Sequence, residues 1–226
     1  MDRARSLRIT AIWSALAVLF TGCLTIEENY TFKKNGSGTM EYVVDLSAFG
    51  EMMESFSKMG GEEKGDDGLE GMNISDQADK LKGLAGIGGV KVKNKEKYIK
   101  RVSFKFKDID ALNRALNVLL PDSSGIDQTF WRWEGSTLVR TNNRHAAELG
   151  NDMGTGEASD STDPTAFLQS MHYKYSFKFA LPISDHTVAD GVVVDAPDQK
   201  RLDLDTDWSV IMNDPKALDL RITLSK

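Results

Sequence analysis

The sequence is poor in the residues from which catalytic and metal sites are usually built. It holds one cysteine and three histidines in 226 residues. A lone cysteine forms no disulfide within its own chain, and His145, His172 and His186 are scattered without a neighbouring ligand at metal-binding spacing. The sequence also lacks a serine–histidine–aspartate order and a phosphate-binding glycine loop. We therefore expect a protein that is not an enzyme and that needs no metal or other cofactor.

The chain also lacks a net positive charge, because its formal net charge is −6. Arg3, Arg5 and Arg8 against Asp2 give residues 1–22 a net charge of +2, which leaves −8 for the remainder. An acidic protein repels the phosphates of nucleic acids. We expect no nucleic-acid partner.

Long hydrophobic runs are absent, and the longest mostly apolar segment covers residues 9–20. As a helix it measures about 18 Å, which is short of the roughly 30 Å hydrocarbon layer of a bilayer. A basic start followed by such a segment is typical of a signal peptide that is later removed. The sequence predicts a signal peptide over residues 1–22.

The segment ends in Phe20-Thr21-Gly22-Cys23, which resembles the lipobox of bacterial lipoproteins. This resemblance implies that Cys23 becomes the mature N-terminus and carries lipid, so the partner is a membrane. Two or more acyl chains hold a protein on a bilayer persistently. Leu24 is not the aspartate that retains many such proteins at the inner membrane, which favours the outer membrane of the cell envelope.

Alternating apolar and polar residues dominate the chain after Cys23 and predict β-hairpins. Hairpins are expected at residues 30–44, 90–107 and 128–141, with further strands at 173–179, 202–210 and 218–224. Helical periodicity appears at 47–59, at 75–84 and after Asp108. The expected fold class is α+β, with a curved antiparallel sheet of about 8–10 strands built from hairpins and about 2–4 helices packed on one face.

The domain organisation is expected to be simple, with one α+β domain over residues 23–226. Residues 60–71 and 150–164 are poor in apolar side chains and rich in glycine, acidic or small polar residues. Such composition is typical of flexible surface loops.

One segment of this acidic chain is strongly basic, because residues 90–107 carry a local charge of +7. Alternation places Lys91, Lys93, Lys105 and Lys107 on the outer face of the sheet. They are candidates for a membrane-facing surface that lies on anionic headgroups, close to the lipid anchor. The alternative is a solvated face on which Asp203, Asp205 and Asp207 pair with lysines across the sheet.

Two functional classes remain open for the domain. The candidate lining of an apolar ligand site comprises Trp131, Trp133, Tyr173, Tyr175 and Phe177. These aromatic side chains line a lipid-sized groove in a carrier or sensor of apolar envelope ligands. They fill a packed core in a structural or protein-interaction module of the cell surface.

The lipobox, the strand directly after it, the turn Asn35-Gly36-Ser37-Gly38 and the ending Pro215-Lys216-Ala217-Leu218 together resemble uncharacterised bacterial envelope lipoproteins that are distantly LppM-like. Members of that broad group are linked to envelope lipids or glycolipids. The resemblance therefore implies an envelope lipid as one possible partner. It implies a role for no particular residue.

Overall fold

The computed structural model describes residues 24–58, 74–154 and 164–225. These residues contain eleven strands and six helices. The strands are β1 Leu24–Phe32, β2 Gly38–Asp45, β3 Ile87–Glu96, β4 Ile99–Phe106, β5 Trp131–Glu134, β6 Thr137–Arg140, β7 Met171–Phe179, β8 Ile183–Val188, β9 Val193–Asp198, β10 Arg201–Asp207 and β11 Leu220–Leu224. The helices are α1 Ser47–Lys58, α2 Ile74–Lys82, α3 Ile109–Leu119, α4 Arg144–Gly154, α5 Pro164–Gln169 and α6 Trp208–Asn213.

The strands form two sheets rather than the single sheet expected from the sequence. The large sheet has seven strands in the order β3-β4-β2-β1-β7-β10-β9, and the small sheet has four in the order β5-β6-β11-β8. Every pairing is antiparallel except that of β1 with β7, which lie side by side and parallel at the centre of the large sheet. The fold class α+β is confirmed, whereas one antiparallel sheet with helices covering one face is wrong.

The second sheet exists because the inner face of the large sheet is strongly apolar and must be covered. Alternate residues of β1 and β7 are buried along the whole length of both strands. Aromatic side chains of the small sheet pack on them: the Trp131 ring lies 5.3 Å from Tyr30 and 5.6 Å from Phe177, centroid to centroid. Helices α2 and α3 contact β3 and β4 at one side, and α6 contacts β7 and β10 at the other.

The hairpins expected from alternation are present as β1–β2, β3–β4 and β5–β6. In the first of them Gly36 has a φ of +79°, a backbone conformation that glycine adopts without strain. The side chain of Asn35 accepts a hydrogen bond from the backbone of Ser37 and fixes the turn.

Other expectations along the chain need correction. The strand expected over residues 202–210 ends at Asp207, whose carboxylate accepts hydrogen bonds from the backbone of Ser209 and Val210 and starts helix α6. The expected loop at 60–71 lies outside the described residues. Of the loop expected at 150–164, the first residues belong to α4, Pro164 begins α5, and the intervening residues lie outside the described ranges.

Candidate functional site

A concave groove of about 660 Å³ crosses the outer face of the large sheet, the face away from the small sheet. We call it the outer groove. Strand register builds its floor, because Lys105, Thr39, Thr31 and Lys178 stand side by side on β4, β2, β1 and β7. A second row, two residues along the strands, contains Lys91, Ser103, Glu41, Asn29 and Ser176. The turn between β9 and β10 forms one wall with Lys200 and Arg201.

The outer groove is basic on an acidic protein. Its lining includes the cations Lys91, Lys105, Lys178, Lys200 and Arg201 and two carboxylates, those of Glu41 and Asp198. Arg201 is paired, with its Nε 2.9 Å from Asp203 Oδ2. Within the described ranges none of the four lysines forms an ion pair, so their charge faces solvent.

The four lysines that the sequence suggested as a membrane-facing surface do not all lie at one place in the structure. Lys91 and Lys105 line the outer groove, whereas Lys93 lies two residues further along β3 and Lys107 lies beyond the end of β4. Their membrane-facing role stays a prediction.

The alternative pairing with aspartates does not reach these lysines. Asp203, Asp205 and Asp207 belong to β10, which is four strands from β4 in the sheet order. Asp205 instead lies 2.8 Å from His172 Nδ1 and 3.5 Å from Lys174 Nζ on the neighbouring β7. Because the sequence does not reveal strand order, it could not show which lysines the aspartates would meet.

The candidate apolar lining lies between the two sheets. Trp131, Tyr173, Tyr175 and Phe177 are all buried, and they contact one another or other rings of the core. Trp133 is half-buried and borders a different opening.

That opening, which we call the apolar slot, has a volume of about 310 Å³ at the end of the sheets opposite Leu24. Its lining includes Phe32, Trp133, Phe179 and Leu224, with Lys33 at the rim. The slot and the outer groove share one lining residue, Phe179.

A buried ion pair joins the two sheets where the aromatic side chains meet. Glu28 of β1 and Arg140 of β6 are both 0% exposed, and Arg140 Nη2 lies 3.0 Å from Glu28 Oε1. The hydroxyls of Tyr30 and Tyr173 donate hydrogen bonds to the same carboxylate. The Arg140 guanidinium also lies 5.0 Å from the centre of the Tyr175 ring, a cation–π distance.

Electrostatics keep the other polar members of this cluster neutral. Burial, with Glu28 as the next cause, raises the pKa of Tyr30 and of Tyr173 well above the usual value. Burial, reinforced by Arg140, lowers the pKa of His145 to about 3. Burial alone would lower the pKa of Arg140, but Glu28 and the surrounding tyrosines raise it overall. The cluster therefore holds one fixed pair of opposite charges.

Sequence reasoning missed Glu28 and Arg140. A signal was present, because Glu28 occupies an inward position between Ile26 and Tyr30 in the alternation of β1. Arg140 likewise shares a face with Leu138 on β6. Two opposite charges at inward positions predict a buried pair, although the sequence does not say that they meet.

Across the described residues, no three histidine, cysteine, aspartate or glutamate side chains gather at one point where they could hold a metal ion. None of the helices in those ranges has the length and apolar composition that crossing a bilayer requires. Cys23 lies outside the described residues, and β1 begins at the next residue.

The sequence matches no known protein family and no curated protein. Among solved structures, the folded domain of LppM from Mycobacterium tuberculosis, determined by NMR, is similar at a TM-score of 0.44 and 9% sequence identity. The similarity covers 90% of each chain.

Proposed function

We propose that this chain is a lipid-anchored lipoprotein of the cell envelope, attached through Cys23 and placed at the outer membrane. Its domain is a non-catalytic interaction module. The proposal depends mainly on the position of the lipobox relative to the first strand. Strand β1 starts at Leu24, directly after Cys23, and is the central strand of the seven-stranded sheet. A lipid on Cys23 would be joined to the rigid core without a linker.

Such a short connection keeps one end of the sheet close to the bilayer. The register places Thr25, Asp45 and Ile99 at that end, together with the β3–β4 turn. Lys93 of β3 pairs with Arg101 of β4 and lies near this end. Lys105 lies four residues beyond Arg101 on β4, about 13 Å farther from this end at the usual strand rise. Lys93 therefore contributes to headgroup contact more than Lys105 or Lys107 does.

The interior supports an interaction module rather than a carrier. Tyr175, Phe177 and Phe179 stack along β7, with successive ring centroids 5.8 and 6.0 Å apart. Trp131 closes the same space from the small sheet and is 0% exposed. A partner would then bind on the outside of the domain.

Replacing Cys23 with Ala tests the proposal. We expect the parent chain to incorporate a labelled fatty acid and to sediment with membranes after detergent-free lysis. The Cys23→Ala variant should remain unprocessed and unlabelled. A matched Ser14→Ala variant, which changes the same leader but keeps the thiol, should behave like the parent. Equal acyl labelling of parent and Cys23→Ala would refute the anchor.

The apolar slot supports a second candidate function, a carrier or sensor of an apolar envelope ligand. Its volume of about 310 Å³ lies at the lower end of the range for small-molecule sites. Native mass spectrometry of the mature chain with envelope lipid extract tests this function. A retained lipid that is lost in Trp133→Ala but kept in the control Phe167→Ala, which removes a half-buried ring that does not line the slot, supports the carrier, and no retained lipid contradicts it.

A further inference from the structure

We infer that the outer groove binds an acidic oligosaccharide, with an anionic group at each basic end and sugar hydroxyls on the floor between them. The inference deepens the proposed function, because it names the class of partner for the interaction module. It rests on the arrangement of charge and hydroxyl groups across six adjacent strands, β3 to β10 in the sheet order.

The two ends of the groove are basic and are separated by a fixed distance. Lys105 on β4 and Lys178 on β7 stand in one row, three strand spacings apart. Three spacings measure about 14 Å. Lys91 adds charge at the first end and Lys200 at the second, where Arg201 is paired with Asp203. A ligand that satisfies both ends must carry separated negative charges.

The floor between these ends is neutral and polar apart from Glu41. It presents the hydroxyls of Thr39 and Thr31 in one row, and Ser103 and the amide of Asn29 in the other. Hydroxyl and amide groups both donate and accept hydrogen bonds. In the described part of the chain, the side chains of Asn29, Thr31 and Ser103 make no hydrogen bond, so they are free to bind sugar hydroxyls.

The shape and the lining disfavour other ligands. A flat bilayer surface does not enter a concavity of about 660 Å³, which is a volume within the usual range for discrete ligands. The aromatic residues among the lining, Tyr30, Phe104 and Phe179, are buried with 2–3% exposure. They offer no open ring on which a nucleic-acid base could stack.

Titration of the mature lipoprotein, purified in a non-ionic detergent, with a hyaluronan tetrasaccharide tests the inference. This probe carries carboxylates on alternate sugars. We expect calorimetry to detect binding that weakens with salt, because the lysines are solvent-exposed. A chitin tetrasaccharide of equal length and no charge should not bind.

Variants at the two ends of the groove distinguish binding in the groove from nonspecific attraction of the anionic probe to basic residues elsewhere. Lys105→Gln and Lys178→Gln should each weaken binding about threefold, as expected for one exposed charge contact, and the double variant about tenfold. Lys107→Gln makes the same charge change outside the groove and should leave binding unchanged. Glu41→Gln should tighten binding, because it removes a carboxylate from the floor. Circular dichroism checks that each variant is folded.

Three results would overturn the inference: absence of tetrasaccharide binding, equal binding by the parent and the double variant, and an equal loss of affinity in Lys107→Gln. Mixed micelles containing phosphatidylglycerol form a further arm. If they bind with dependence on Lys105 and Lys178 while the tetrasaccharide does not, the surface recognises headgroups and the saccharide site is refuted. The Cys23 labelling result is independent of all these outcomes.

Discussion

The buried pair of Glu28 and Arg140 gives the sharpest test of the two-sheet core. Replacing Glu28 with Leu removes the carboxylate to which Arg140, Tyr30 and Tyr173 donate hydrogen bonds. Arginine stays protonated in proteins, so its charge would be left buried without a counter-charge. The Nε and Nη1 atoms of Arg140 already lack a hydrogen-bond partner among the described residues, so the carboxylate of Glu28 is the charged acceptor on which the guanidinium depends.

The expected loss is large relative to the stability of a domain. Breaking a buried pair from one side costs about 3–5 kcal/mol, against a typical free energy of unfolding of about 5–15 kcal/mol. Removing both charges is less harmful, because an apolar replacement of a buried pair is often neutral. We therefore expect the double variant Glu28→Leu/Arg140→Met to be more stable than Glu28→Leu alone, by about 2 kcal/mol.

Urea unfolding of the mature chain, followed by tryptophan fluorescence, measures the free energies of unfolding of the parent, Glu28→Leu and the double variant. Glu27→Leu is the matched control, since Glu27 is the neighbouring residue on the outer face of β1 and is half-buried. It should change the free energy of unfolding by less than about 0.5 kcal/mol. A double variant less stable than Glu28→Leu would refute the reasoning.

Two further predictions concern pH and packing. Because burial lowers the pKa of His145 to about 3, the unfolded chain binds a proton that the folded chain excludes. Stability should fall as pH drops from about 6.5 towards 3, by at most about 1.4 kcal/mol per pH unit. His145→Phe should reduce this slope of unfolding free energy, and an unchanged slope contradicts the account. A Cβ on Gly38 would lie 2.1 Å from the carbonyl oxygen of Thr31, so Gly38→Ala should lower the free energy of unfolding by about 1–3 kcal/mol. Gly88→Ala is the control, because a Cβ there meets open space, and it should leave stability unchanged in the same urea assay. Equal effects of the two substitutions would contradict the packing argument.

The elements with strong local patterns were predictable from the sequence. Alternation in residues 30–44 and 90–107 gave hairpins because each strand buries one face, and that signal lies within the strand itself. Helix α3 was predictable in the same way, since the Asp108 carboxylate accepts a hydrogen bond from the backbone of Ala111 and begins the helix. These features depend on neighbours in sequence.

The features that define the site depend on strand order, which alternation does not encode. Leu24 pairs with Met171 in the parallel centre of the sheet, and nothing local to either residue indicates the other. Strands β8 and β9 are largely exposed, so they lack the alternation of buried apolar residues that marks a strand. Lys105 and Lys178 were both predictable as outward-facing, but their common row follows only from the pairing of β4, β2, β1 and β7.

Mass spectrometry of the N-terminal peptide of the mature protein, isolated from membranes, tests the central claim most directly. The account predicts a peptide that begins at Cys23 and carries acyl chains on that residue, followed by Leu24 and the first strand. A mature protein whose N-terminal peptide contains Cys23 without lipid, or begins beyond it, would contradict the anchor and the membrane-proximal placement of the domain.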